Sequence, residues 1–234
     1  MKQILDREAR RLGLSLSERQ LDMFSAFADL LEECGKTTNL TAIRGDEDVA
    51  KLHFADSLSI ALAEPLSGKS IIDVGSGAGF PALPLAIYDS TLRVTALDSV
   101  GKKADFMAQA AALLGLKNAE CLHARAEELA LKPEYRQQYD IAVSRAVAPL
   151  NILCELCLPF VRQGGLLIAM KTPASAEAEL EAASNAISEL GSVYEKSFDY
   201  MVADADRRLI FIRRVLPVPD RYPRRFSRIK SSPL

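Results

Sequence analysis

The residues best suited to chemistry in this chain gather around one glycine-rich run, Asp73-Val74-Gly75-Ser76-Gly77-Ala78-Gly79-Phe80. It follows a short apolar stretch, Ser70–Val74, and opens a segment of helical pattern. That is the signature of a turn at the carboxyl end of a parallel strand, where open α/β sheets bind ligands. Glycines there permit positive φ and a close approach of backbone to ligand. The spacing is Gly-x-Gly-x-Gly, not the Gly-x-Gly-x-x-Gly of dinucleotide folds. Pro81 and Pro84 remove amide donors from the next turn, and Asp73 sets an acid two residues before the first glycine. All three features suit a ligand that lacks a pyrophosphate and carries a cationic group. The alternative is a tight turn that binds nothing.

Asp98 lies 25 residues after Asp73, at the end of the next apolar stretch. An acid there can accept hydrogen bonds from ribose hydroxyls, which nicotinamide cofactors and S-adenosylmethionine share; its alternative is a cap for the helix at Gly101–Leu114. Arg125-Ala126-Glu127-Glu128 can offer an amide and a carboxylate to an adenine edge, or be a solvated helix start. Arg145 follows a fourth strand, placed for a cofactor carboxylate or a phosphate, or for a surface ion pair. His53 and Asp56, three apart, share a helix face. Cys154 and Cys157 read as core residues of a helix, because a zinc site needs a second pair or suitably spaced histidines, and His53 and His123 are remote in sequence. No metal site is expected.

These residues need an alternating scaffold. Strands are expected at Ser70–Val74, Arg93–Asp98, Glu120–Leu122, Asp140–Ser144 and Leu166–Met170, the last preceded by a Gly164-Gly165 turn. Helices including Lys102–Leu114 and Pro149–Phe160 separate them, which implies a parallel sheet with crossover helices. Val193–Phe198 and Leu209–Arg213 read as an antiparallel pair at the sheet edge, joined across 203–208. Before residue 68 the pattern is helical: Ser17 and Gln20 resemble a capping box, Leu21, Phe24, Phe27, Leu30 and Leu31 follow at helical spacing, Gly35 ends that helix, and a second spans Asp46–Ala63. The expected organisation is a helical region at 1–67, an α/β domain at 68–215 and a basic tail at 216–234.

With 234 residues, 49% hydrophobic and 26% charged, the composition excludes a largely disordered chain and a disulfide-stapled miniprotein. No signal core and no membrane-length apolar run is evident, so a cytoplasmic protein with reduced thiols is expected. The net charge of −2 is a cancellation: residues 207–234 carry nine basic residues against Asp220 alone, a net of +8, and the rest carries −10. A basic terminus of this kind can steer toward phosphate, with Tyr222 and Phe226 between arginines as candidate base-stacking rings.

In order along the chain, several stretches resemble the RsmG (formerly GidB) family of ribosomal RNA methyltransferases. They are Asn39-Leu40-Thr41, His53-Phe54-Ala55-Asp56-Ser57-Leu58, the glycine run with Pro81, Leu97-Asp98-Ser99 with Lys102-Lys103, Arg125-Ala126-Glu127-Glu128, Ser144-Arg145-Ala146 and Arg207-Arg208-Leu209-Ile210. The resemblance implies a Rossmann-like α/β S-adenosylmethionine-dependent methyltransferase fold, mostly parallel with an antiparallel final strand and an N-terminal helical extension. It implies methylation of N7 of a guanine in bacterial 16S rRNA, on naked RNA or the small ribosomal subunit, by a monomer. The cofactor site would comprise Gly75, Gly77, Phe80, Asp98, Ala126, Glu127 and Arg145. Arg207 would contact RNA, and the tail adds Arg224 and Arg225. Arg145 and Asp56 are positioning candidates, and no residue is assigned a catalytic acid or base, because guanine N7 already presents an in-plane lone pair. The competing readings are a catalytically silent RNA-binding subunit on the same fold and an NAD-dependent oxidoreductase.

Overall fold

From residue 70 onward, the apolar stretches pair into one seven-stranded sheet. The computed structural model describes residues 1–36 and 38–234. The strands are β1 (Ser70–Val74), β2 (Arg93–Asp98), β3 (Ala119–His123), β4 (Tyr139–Arg145), β5 (Val161–Lys171), β6 (Ser192–Val202) and β7 (Ala205–Arg214). Their spatial order is β3-β2-β1-β4-β5-β7-β6. The first five are parallel, and β7 inserts antiparallel between β5 and β6. All five residues of β1 are buried, as befits a central strand covered on both faces.

Two apolar clusters line the two faces. One joins Ile71, Val94 and Val143 to the N-terminal helices through Phe24, Phe27 and Phe54. The other joins Ile72, Leu97 and Ala142 to Leu153 and Cys157, and to Val218, Tyr222 and Ile229 from beyond β7. Cys154 and Cys157 are thus core residues. Among the described residues no group of three or more His, Cys, Asp or Glu could hold a metal ion, and no helix is long and apolar enough to cross a membrane.

Several local expectations are corrected. Gly164-Gly165 is not a turn before β5 but lies within it. Gly164 takes φ of 80°, the register against β4 shifts between Tyr139 and Ile141, and a Cβ at Gly165 would meet the Asp140 carbonyl at 2.5 Å, so the pair makes an irregularity that only glycine fits. The loop expected at 203–208 shrinks to Ala203 and Asp204, both at positive φ, the backbone of a tight hairpin turn. Asp46–Ala63 is not a regular α-helix: Val49–Ala55 winds as a π-helix, with short α segments at Asp46–Asp48, Asp56–Leu58 and Ile60–Ala63. The capping box is formed, Gln20 N–H donating to Ser17 Oγ and Ser17 N–H to Gln20 Oε1.

The largest correction concerns the terminus, which is folded onto the body. Arg136 donates to the carbonyls of Tyr222 at 2.8 Å and Val218 at 3.2 Å. Arg224 forms a two-pronged pair with Glu155, whose side chain is fully buried on the helix Leu150–Cys157. Arg213 pairs with Glu195, Arg208 with Asp199 and Arg221 with Glu189, while Arg214 is buried against the Val161 carbonyl. Arg224 is therefore a structural anchor in place of the expected phosphate contact, and Tyr222 is too buried to stack on RNA. Arg225, Arg228 and Lys230 are exposed.

Removing Arg224 would leave the Glu155 carboxylate buried and unpaired, a defect that costs about 3 kcal/mol or more. Arg224→Ala should lower the urea midpoint accordingly, and adding Glu155→Leu should recover most of the loss. A midpoint that does not move would mean that the terminus is not anchored through this pair.

Candidate active site

The glycine turn is drawn against the end of β2. The amides of Gly75 and Ser76 donate to the Leu97 carbonyl at 2.8 and 3.0 Å. Asp98 then fastens the turn from the side: Oδ2 accepts from Gly77 N–H and Oδ1 from Val100 N–H, each at 2.8 Å. Each carboxylate oxygen has two lone pairs, so Asp98 keeps acceptor capacity toward the cleft it borders. Gly75 stands at φ of 80° and a Cβ there would run into Val147. Beneath the turn Asp73 is fully buried. Its Oδ2 accepts from Ser76 Oγ and from Ala82 N–H, while Oδ1 has no partner among the described residues. Burial pushes Asp73 up to about 7, against the pull of Ser76 and the Ala82 amide.

Two concavities border this turn, and a third adjoins the larger of them. A cleft of about 400 Å³ is bordered by Gly75, Gly77, Asp98, Lys103 and Val147. A slot of about 150 Å³ runs on between Asp98, Ala126, Glu127, Leu156 and Phe226. A second cleft, about 490 Å³, is lined by Asp56, Lys171, Tyr200 and Arg207. The two larger clefts share His53, Arg145 and Ala146 as a common wall.

That wall is a hydrogen-bonded cluster centred on Arg145, the last residue of β4. Its guanidinium donates to the Leu52 carbonyl, Asp56 Oδ2 and His53 Nδ1, all at 2.9 Å. Because Nδ1 accepts, the imidazole proton is assigned to Nε2, which donates to Thr41 Oγ1 at 2.8 Å. The ring stacks on Phe80, with centroids 4.1 Å apart and planes within 3°. Burial and then the Arg145 charge lower His53 to about 3, so it stays neutral. Tyr200 donates to Asp56 Oδ1 at 2.8 Å; burial foremost, then Asp56, raises its phenol well above the ordinary range. Arg207 Nε lies 3.9 Å from the same oxygen. Lys171 is held by Glu179 at 2.6 Å and the Ala148 carbonyl at 2.8 Å.

The sequence-predicted residues fall at different places. Gly75, Gly77, Asp98 and Arg145 border the first cleft, whereas Ala126 and Glu127 border the slot. The Phe80 ring is buried between His53 and Phe27, so its side chain serves the core and only its edge reaches the cleft. Asp56 and Arg207 face the second cleft, and Arg225 lies outside all three. The sequence assigned no role to Tyr200, and strand alternation alone cannot distinguish it from other residues of β6. Thr41 stood within a quoted motif, but its bond to His53 needs the fold. Phe226, a candidate base-stacking ring in the sequence, borders the slot.

A β3-β2-β1-β4-β5-β7-β6 sheet, with a glycine turn after β1 and an acid closing β2, defines a Rossmann-like methyltransferase of the S-adenosylmethionine-dependent class. The same fold occurs in M. jannaschii TYW2 solved in complex with AdoMet, at a TM-score of 0.53 and 14% identity over 64% of this chain and 71% of that one. A family model described as rRNA small subunit methyltransferase G (GidB) matches residues 20–210. The "Ribosomal RNA small subunit methyltransferase G" of Clostridium botulinum (strain Loch Maree / Type A3) is 41% identical over 99% of this chain and 98% of its own. The protein of that name from Pelotomaculum thermopropionicum is 43% identical over 93% and 92%. The chain belongs to the rRNA small subunit methyltransferase G family. Membership decides between the two ribose cofactors that Asp98 alone left open, in favour of S-adenosylmethionine.

The lowered His53 has a thermodynamic consequence. Between about 6.5 and 3 the unfolded chain carries a proton on His53 that the folded chain does not. The stability that neutral His53 contributes is therefore complete above pH 6.5 and is lost as the pH falls toward 3. On acidification from about pH 6 to about pH 4.5, the unmodified protein should lose up to about 1.4 kcal/mol per pH unit more than His53→Gln. Urea unfolding at each pH reads this difference, and equal slopes would mean that the folded imidazole is free to charge.

Proposed function

We propose that this protein transfers the methyl group of S-adenosylmethionine to N7 of a guanine in 16S rRNA. The observation that carries the reading is the pair of adjoining clefts with one shared wall, in a chain that belongs to the methyltransferase G family. The first cleft and its slot fit the cofactor: Asp98 for the ribose hydroxyls, and the slot beside Ala126 and Glu127 for adenine. When bound, the cofactor supplies a methyl group on a positively charged sulfur, which the N7 lone pair can displace without loss of a proton.

The second cleft receives the base. Its cations, Lys171 and Arg207, are placed for O6 of a guanine or the phosphates beside it and leave the N7 lone pair free, and Arg145 and Asp56 fix the wall against which the base rests. Holding two reactants in line is then the main catalytic task, and a hydrogen-bonded wall supplies it at no reorganisation cost when the reaction occurs. The neutral His53, with both nitrogens engaged, acts as a spacer and not as a base. The exposed Arg225, Arg228 and Lys230 add positive charge for rRNA phosphates. We place the protein in the cytoplasm as a monomer, acting on the small subunit or its 16S rRNA.

Small subunits from cells lacking this protein should accept labelled methyl from S-adenosylmethionine, with 7-methylguanine as the modified nucleoside on mass mapping. Methylation at another atom, or none on either subunits or naked 16S rRNA, would overturn the assignment. Arg207→Ala should raise KM for the RNA about tenfold, the scale of one lost charge-assisted contact, with the dissociation constant of S-adenosylmethionine unchanged.

A further inference from the structure

We infer that Phe226, from the segment after the last strand, forms a wall of the adenine subsite, so that the terminus is part of the cofactor site. The inference rests on the reading of the first cleft and its slot as the S-adenosylmethionine site. Phe226 borders the slot of about 150 Å³ together with Ala126, Leu97, Val147 and Leu156. It is the sole aromatic residue on this lining, and the residue is 37% exposed. The rest of the lining is aliphatic apart from Asp98, Ser99, Arg125 and Glu127, so this ring is the one group there that can stack on a flat heterocycle, and base–aromatic stacking is insensitive to substituents on the base.

The ring is held at the slot by anchors on both sides. Before it, Arg224 pairs with the buried Glu155, whose helix also supplies Leu156 to the slot. After it, Ile229 is fully buried in the same apolar cluster as Leu153 and Leu156. Phe226 thus sits between two fixed points of the chain and cannot swing far from the slot. The geometry therefore assigns residues 224–229 as a strap across the adenine end of the cofactor.

Calorimetric titration of the full-length protein with S-adenosylmethionine, S-adenosylhomocysteine and adenosine tests this. Phe226→Ala should weaken all three by a similar factor, about tenfold, since the ring would meet only the part that they share. Phe226→Tyr should stay within about twofold of the unmodified protein. Ser227→Ala, next to it and exposed, should not change any of the three, and the thermal midpoints of all variants should agree within a few degrees. Equal affinities for Phe226→Ala and the unmodified protein would overturn the inference while leaving the cofactor reading intact. Loss confined to S-adenosylmethionine and S-adenosylhomocysteine, with adenosine unaffected, would also overturn it, by placing the ring elsewhere. Failure of the unmodified protein to bind S-adenosylmethionine would overturn both.

Discussion

The structure depends on the three bonds of one guanidinium. Arg145 ends a central strand, and its acceptors, the Leu52 carbonyl, His53 and Asp56, all lie in the helical segment before the sheet. This fork fixes where the N-terminal helices sit relative to the carboxyl edge of the sheet, and therefore the shape of both clefts. A lysine would supply one point charge where the planar fork meets three acceptors. Neutral His53 is what allows the arrangement: a second cation 2.9 Å from the guanidinium would repel it, and burial already disfavours that charge. The π-helical winding of Val49–Ala55 belongs to the same device, since it sets the Leu52 carbonyl, His53 and Asp56 to converge on one side chain.

Much of the sheet was legible because its strands are short apolar runs bounded by glycine, proline and acid. β1 and β2 have the expected limits, and the glycine turn lies where the strand-to-helix pattern put it. The failures share a cause. A Gly-Gly pair reads locally as a turn, but pairing with neighbours on both sides carried β5 through it. The edge hairpin is longer than its hydrophobic run because backbone pairing continued through polar residues to a two-residue turn. The π-helix has no sequence signature distinct from an ordinary helix, and only the need to bring three acceptors to Arg145 gives it a reason.

At the site the legible residues were those whose backbone does the work or whose type matched a motif. Gly75 and Asp98 belong to the chain's local geometry. Tyr200 is legible only once β6 is known to pass beside Asp56, a contact between residues 144 apart. The basic terminus illustrates the opposite error. A run of arginines reads as phosphate-binding, yet each acid that meets one is on another element: Glu195 on β6, Glu155 on the helix Leu150–Cys157, and Glu189 in the segment before β6. Charge along the sequence overstated the charge available at the surface.

This redistribution changes what the terminal segment does in the fold. Arg224 is used internally and Arg221 pairs with Glu189 at the surface, while its apolar residues Val218, Tyr222 and Ile229 complete a core face that the sheet and the helix Leu150–Cys157 would otherwise expose. The exposed cations that remain, Arg225, Arg228 and Lys230, flank Phe226, the ring at the slot. The terminus therefore carries exposed cations and a slot-lining ring on one short piece of chain, and Ala146, the residue after Arg145, is strained in its own way. This non-glycine residue lies at φ of 56° on the wall common to both large clefts, a backbone conformation that costs about 1–2 kcal/mol and that the bonds of Arg145 beside it hold in place.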